Sequence, residues 1–255
     1  MDKTEVEKTL KLAKDSSNKR NFNQTVDLII NLKDIDLKKQ DNRVNIFSQL
    51  HFDRGKRVKI CGLLAPELME QGREAFDNTI SADDFPKYAE KKKIKKLARE
   101  NDFFVAQANI MPKVAGAFGK TLGPRGKMPN PKAGCVVPPN ANLKALAEKL
   151  QKTLNIRVDT SPVFQTFVGK EDTEENKVVD NVVTIYNALA HALPNDVHNI
   201  KDAYLKLTMG KPFKIGGEQE QGISESGQEK KTVPKEKEKK KSPEPAEKEK
   251  VEQDN

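Results

Sequence analysis

Histidine, cysteine and long apolar runs are scarce in this chain, and each shortage removes a class of function. His51, His191 and His198 are the only histidines among 255 residues. None stands in a His–Cys–Asp grouping, and no paired-carboxylate motif stands out, so acid–base and nucleophilic catalysis lack their usual players. His191 falls in an amphipathic helical stretch and reads as a surface or core-edge residue. The two cysteines, Cys61 and Cys135, show no metal-like spacing. They read as reduced, buried thiols, and nothing supports the oxidising compartment that a disulfide would need. No apolar run approaches the ~20 residues of a membrane span, and the opening MDKTEVEKTL lacks the apolar core of a signal peptide. The expectation is a cytoplasmic protein with no membrane partner, no metal and no cofactor.

Positive charge is what the chain has in excess: 46 Lys and Arg against 38 Asp and Glu, a net +8 with a pI near 9.2. From Gln228 to Asn255 the sequence is mostly Lys, Glu, Pro and Ser, with Val233 and Val251 its only large apolar residues. Such a stretch cannot bury enough surface to offset ordering entropy, so a disordered charged tail is expected over 218–255. Its Lys and Glu nearly cancel, which leaves the surplus charge on the folded part. That fits a polyanionic partner, or simply a basic soluble protein.

Periodicity divides the rest. Met1–Asp15 reads as an amphipathic helix with Val6, Leu10 and Ala13 on one face. Phe22–Leu32 alternates as a strand, with Phe22, Val26, Leu28, Ile30 and Leu32 on the buried side, although Gln24 and Ile29 blur the pattern. Arg43–Phe47 is a second strand, and Asp53–Lys56 a polar joint. The apolar run Val58–Leu64 suits a parallel strand covered on both faces. It is followed by helices over Pro66–Phe76 and Pro86–Asn101, an apolar run over Phe103–Ile110, and a helix over Leu143–Leu154. Strands over Ile156–Val158 and Val163–Val168, a long helix over Glu174–Leu193 ended by Pro194, and a strand over Ala203–Thr208 complete the folded part. Each outer piece is too poor in strands to build a core alone. The fold class expected is therefore α/β in two domains: a discontinuous α+β sandwich over 1–56 plus 154–217, with a Rossmann-like α/β domain over 57–153 inserted through a two-stranded hinge.

Two motifs remain. Gly119–Gly134, GKTLGPRGKMPNPKAG, carries four Gly, three Pro, the cations Lys120, Arg125, Lys127 and Lys132, and no acid. Pro fixes φ and Gly frees it, so the run should be a shaped loop rather than helix or central strand. It is either a turn with solvated charges or a contact for RNA phosphates. A nucleotide-binding P-loop is not among the options, because the first Gly of G-x-x-x-x-G-K-[ST] is replaced by Val114. In the second motif, Leu207–Pro212, Thr208 offers a hydroxyl to a ribose 2′-OH, Met209 a soft apolar contact, and Gly210 close backbone approach.

Together these residues resemble the ribosomal protein L-one family, archaeal-type, the protein of the mobile stalk of the large subunit. The likeness rests on Leu122–Gly134, on Thr208-Met209-Gly210-Lys211-Pro212 and on Phe22-Asn23-Gln24-Thr25-Val26, in that family's order, and it spans about Met1–Ile215. It implies a non-enzymatic protein whose outer domain grips large-subunit rRNA through Phe22, Thr25, Thr208, Met209 and Gly210, with Arg20, Lys206 and Lys211 beside them. The inserted domain would swing on the hinge. Its loop cations Lys120, Arg125, Lys127 and Lys132 would make a secondary contact with rRNA or exit-site tRNA. The implied partners are the ribosome, its rRNA, exit-site tRNA and the protein's own mRNA, whose translation several members of the family repress. Off the ribosome a monomer is expected. Four departures mark this chain: Asp202 where the family often has Ser, Asn21 in place of a Lys, Leu50–Asp53 without the usual Pro and Gly, and the Lys/Glu tail.

Overall fold

Alternation of apolar and polar residues builds the first sheet. In the computed structural model, which describes residues 1–39, 42–88 and 90–217, strand β1 (Thr25–Leu32) buries every second residue, Val26, Leu28, Ile30 and Leu32. It lies between β8 (Val163–Lys170) and β9 (Ile200–Leu207), with the short β10 (Phe213–Lys214) outside β9, all antiparallel in the order β10-β9-β1-β8. Helices α1 (Lys3–Asp15) and α6 (Glu175–Ala192) cover the buried face. Val6 and Leu10 from α1 and Val178, Val182, Ile185 and Leu189 from α6 share one core with Leu28, Ile30, Leu205 and Leu207. The opposite face of the sheet carries Thr25, Asp27 and Ile29.

The second sheet is parallel, in the order β4-β3-β5-β6: β3 (Ile60–Leu64), β4 (Asn78–Ser81), β5 (Phe103–Gln107) and β6 (Val136–Val137). All of β3 is buried, as its unbroken apolar run implies. Cys61, Leu63, Phe104 and Ala106 face α3 (Lys91–Glu100) and α4 (Met111–Leu122), where Val114, Phe118 and Leu122 complete one core. Ile60, Leu64 and Val105 face α2 (Met69–Ala75) and α5 (Leu143–Gln151), through Leu68, Phe76, Leu143 and Leu150. The α/β class is as expected.

A two-stranded antiparallel ribbon, β2 (Val44–Gln49) with β7 (Thr153–Val158), joins the two layers. Its Val44, Ile156 and Val158 belong to the outer core, while Phe47 packs against the second. Two side-chain amides fix the connecting backbone. Asn181, buried on α6, accepts from the Phe52 N–H and donates to the Phe52 and Val168 carbonyls at 3.2–3.3 Å. Gln151 does the same for both backbone groups of Val58 at 2.8 and 2.9 Å. Leu50–Asp53 therefore needs no Pro to be held. Residues Met1–Gly217 form one compact unit; the tail expected over 218–255 lies outside the described residues.

Several local expectations need correction. Strand β1 starts at Thr25 and not at Phe22, whose ring is exposed. Pro86–Asn101 is two pieces, a 3₁₀ segment Ala82–Tyr88 around Pro86 and then α3, because Pro cannot donate inside an α-helix. Gly119–Leu122 is the last turn of α4 and not loop, since the apolar positions Val114, Phe118 and Leu122 share one buried face and outweigh the glycines. Helix α5 stops at Gln151, and Thr153 and Leu154 already belong to β7.

Both cysteines are buried free thiols, and burial pushes Cys61 up to about 12 and Cys135 up to about 11. The unfolded chain loses these protons near the ordinary value of 9.0, whereas the folded protein keeps them. Above that pH the folded state binds more protons, so stability present below pH 9.0 falls as pH rises towards 11–12. The expected loss is up to about 1.4 kcal/mol per pH unit for each thiol. Urea melts at pH 8 and pH 10.5, run beside the double Cys→Ala variant, check it; an equal pH slope in both proteins would contradict it.

Candidate nucleic-acid interface

The start of β1 and the end of β9 meet although 183 residues separate them. The antiparallel register sets Val26 opposite Leu207, which brings Thr25 beside Thr208. The Thr208 N–H donates to the Thr25 carbonyl at 3.0 Å, and the Thr25 N–H donates to Thr208 Oγ1 at 2.9 Å. The two hydroxyls lie 2.9 Å apart, and Thr25 Oγ1 also reaches Asp27 Oδ1 at 3.3 Å. The result is a rigid, polar sheet corner with hydroxyls at its surface. Leu207–Gly210 closes as a tight turn, the Gly210 N–H donating to the Leu207 carbonyl at 2.9 Å.

Apolar side chains flank this corner. Phe22 is 52% exposed and Met209 62%, both far from what a large apolar side chain needs for stability. Gln24 ties their segments together: its side-chain oxygen accepts from the Met209 N–H at 3.3 Å, and its carbonyl accepts from the Glu171 N–H. Asn23 bonds Asp172 from the same loop. An exposed ring and an exposed thioether beside paired hydroxyls suit unstacked bases and ribose better than a flat protein partner.

Charge surrounds the corner. Lys206 sits opposite Asp27 in the register. Burial raises the Asp27 carboxyl above its ordinary range, against the opposing pull of the Thr25 hydroxyl and Lys206. Arg20 and Lys211 are exposed on the two flanking loops. Asp202, a suspect acid at sequence level, is paired with Lys214 at 2.5 Å and is largely covered. Lys214 is held above its ordinary value by that hydrogen bond and charge. Asp202 stands opposite Asn31, at the far end of β1 from Thr25, so its carboxylate does not face the corner. Phe22, Thr25, Lys206, Thr208, Met209, Gly210, Arg20 and Lys211 thus lie on adjoining segments of one sheet corner.

The loop cations lie elsewhere, on the parallel-sheet layer. Lys120 and Lys132 are exposed. Arg125 donates to the Lys95 carbonyl at 3.3 Å. Lys127 turns inward: its ammonium donates to the carbonyls of Ala98 and Asn101 at 3.0 and 2.7 Å, at the C-terminal end of α3. A cation there satisfies carbonyls that the helix leaves open, and burial lowers its affinity for the proton, against the Asp102 charge. Gly126 has φ +65° and lies against the Arg157 guanidinium, a close approach that a side chain would block. The loop is thus seated against α3 and β7.

Sequence reasoning passed over Gln24 and Asp27. The signal for Gln24 was present: a polar residue in the parity of Val26, Leu28 and Ile30 that is nevertheless buried. Among the described residues no group of three or more His, Cys, Asp and Glu could hold a metal ion, and no helix is long and apolar enough to cross a membrane.

Residues 12–211 match the model of the ribosomal protein L1p/L10e family. The large ribosomal subunit protein uL1 of Methanothermococcus thermolithotrophicus is 40% identical over 216 residues, which is 84% of this chain and 99% of that protein. Those of Methanocaldococcus jannaschii and Pyrococcus abyssi are each 38% identical, over 84% and 85% of this chain and 96% and 97% of theirs. On the matched length and the identity, this chain belongs to the ribosomal protein L1p/L10e family.

Proposed function

We propose that this protein, a structural ribosomal protein and not an enzyme, binds large-subunit rRNA directly through the Thr25–Thr208 corner and so anchors the mobile stalk. The observation that carries this reading is the corner itself: paired hydroxyls on a rigid backbone, with Phe22 and Met209 exposed on either side. The division of labour assigns 1–56 plus 154–217 to rRNA and makes 57–153 the moving part, with the β2–β7 ribbon as hinge. Lys120, Arg125 and Lys132 then serve a secondary contact with exit-site tRNA or rRNA and assist tRNA release, while Lys127 shapes their loop. A matching stem in the protein's own mRNA would occupy the same corner and repress translation. The protein works in the cytoplasm on the ribosome and is a monomer when free.

Filter-binding titrations test the reading. Binding to a large-subunit rRNA stem–junction is expected to exceed binding to an unrelated structured RNA of equal length. Log affinity should fall against log salt with a slope of roughly 0.7–0.9 for each phosphate neutralised. Equal affinity for both RNAs would remove the specific part of the proposal.

A further inference from the structure

A second concentration of positive charge lies in a cleft between the parallel sheet and the ribbon, which adjoins the sheet corner through Lys56 and Phe167. The cleft measures about 240 Å³, room for an anion and several waters at about 30 Å³ each. Arg54, Lys56, Arg57, Arg125 and Lys127 line it, and among the described residues Asp102 is the one carboxylate on its wall. Arg57 is already paired with Asp77 at 3.1 Å, and Arg125 and Lys127 are engaged by carbonyls. Arg54 has no such partner. It is only 6% exposed, and its Nε–H has no hydrogen-bond partner among the described residues. One face of its guanidinium lies on the Phe167 ring, 4.5 Å from the centroid. Asp102 and Asp53 act on it only through space.

A buried guanidinium without a bonded acceptor is costly, and stacking on a ring offsets part of that cost without using a single N–H. Stacking uses none of the in-plane N–H groups, so the buried Nε–H is left without an acceptor among the described residues, and the Nε–H edge is the one that chelates oxyanions side-on. A second orphan lines the same cleft: the side-chain oxygen of Asn155, buried and without a donor among the described residues. The pair asks for a ligand that accepts from Arg54 and donates to Asn155. A phosphate group with an adjacent hydroxyl does both, either as hydrogen phosphate or as an RNA phosphodiester beside its ribose 2′-OH.

We infer that this cleft is a separate phosphate-binding site, with Arg54 as its central ligand and Lys56 as its entrance charge. Lys56 also borders the groove of Thr25, Asp27 and Lys206, so it is inorganic phosphate and Arg54, which lies outside that groove, that separate this site from the rRNA grip proposed for the Thr25–Thr208 corner. In this arrangement a phosphate bridges Arg54 of the joint to the loop that carries Arg125. Occupancy therefore ties the two layers together.

The test is a ³¹P NMR titration of the full chain with inorganic phosphate, at constant ionic strength in chloride, with thermal melts in parallel. Saturable binding and a raised melting temperature are expected. Arg54→Met should weaken binding about tenfold, the order of one charge-assisted bidentate contact, and Lys56→Gln severalfold, while Lys177→Gln on the surface of α6 leaves it unchanged. Lys56 is exposed, so its variant folds and keeps the test decisive should Arg54→Met not fold. A short single-stranded ribo-oligonucleotide that displaces phosphate identifies RNA backbone as the source; failure to displace identifies free phosphate. No saturable binding, or binding unaltered in both the Arg54 and Lys56 variants, would overturn the inference.

Discussion

Replacing both Thr208 and Met209 with Ala is expected to weaken binding to the rRNA stem–junction about a hundredfold. In the proposed complex, removing the Thr208 hydroxyl takes away one hydrogen bond to RNA, worth about 1 kcal/mol. Truncating Met209 removes an apolar contact worth about 1.5–3 kcal/mol when fully covered. At 1.4 kcal/mol per factor of ten, the sum corresponds to roughly two orders of magnitude. Both residues are exposed, so unfolding should shift by less than about 1 kcal/mol, and circular dichroism should be unchanged. Thr208→Ser, which keeps the hydroxyl against Thr25, should retain most of the affinity and so separates the hydroxyl from the methyl group. Neutralising Arg125 should leave this binding near the native level. Native affinity in the double variant, or its loss in the loop variant, would reverse the division of labour.

Phe118→Ala should cost the fold about 3–5 kcal/mol. Phe118 is fully buried on α4 and meets the Phe85 ring edge-on at 5.2 Å, with the Tyr88 ring at 6.1 Å on another side. Truncation leaves a cavity between α4, the 3₁₀ segment and β5, whose backbones are fixed by their own hydrogen bonds and cannot collapse into it. It also removes an aromatic pair worth about 0.5–1.5 kcal/mol beyond its area. Urea unfolding followed by circular dichroism reads the change as a lower midpoint at unaltered slope. A cost below about 1 kcal/mol would mean that this face of α4 is not packed as described.

The contrast between these two residues shows what is legible in a sequence. Phe118 recurs at helical spacing with Val114 and Leu122, yet the surrounding Gly116, Gly119 and Gly123 disguise the helix. Propensity and periodicity disagree there, and tertiary burial decides for periodicity. The Leu207–Gly210 turn was legible for another reason, since a Thr-Met-Gly turn after an alternating strand is a local pattern. Asp202 was legible as an acid, but its ion pair was not, because Lys214 reaches it only after the chain has reversed at Gly210.

The sequence by itself determined the α/β class, the buried faces of α1, β1, β3 and α6, and the excess of positive charge. These follow from φ limits at Gly and Pro and from periods of 2 and 3.6, which act over a few residues. Only the tertiary structure decided that Thr25 bonds Thr208, that Lys127 closes α3 instead of facing solvent, and that Arg54 lies buried on Phe167 with its Nε–H unpartnered among the described residues. Each of these joins segments far apart in the chain. Their meeting depends on strand register and on how the ribbon seats one layer against the other, and no local pattern of residues carries that information.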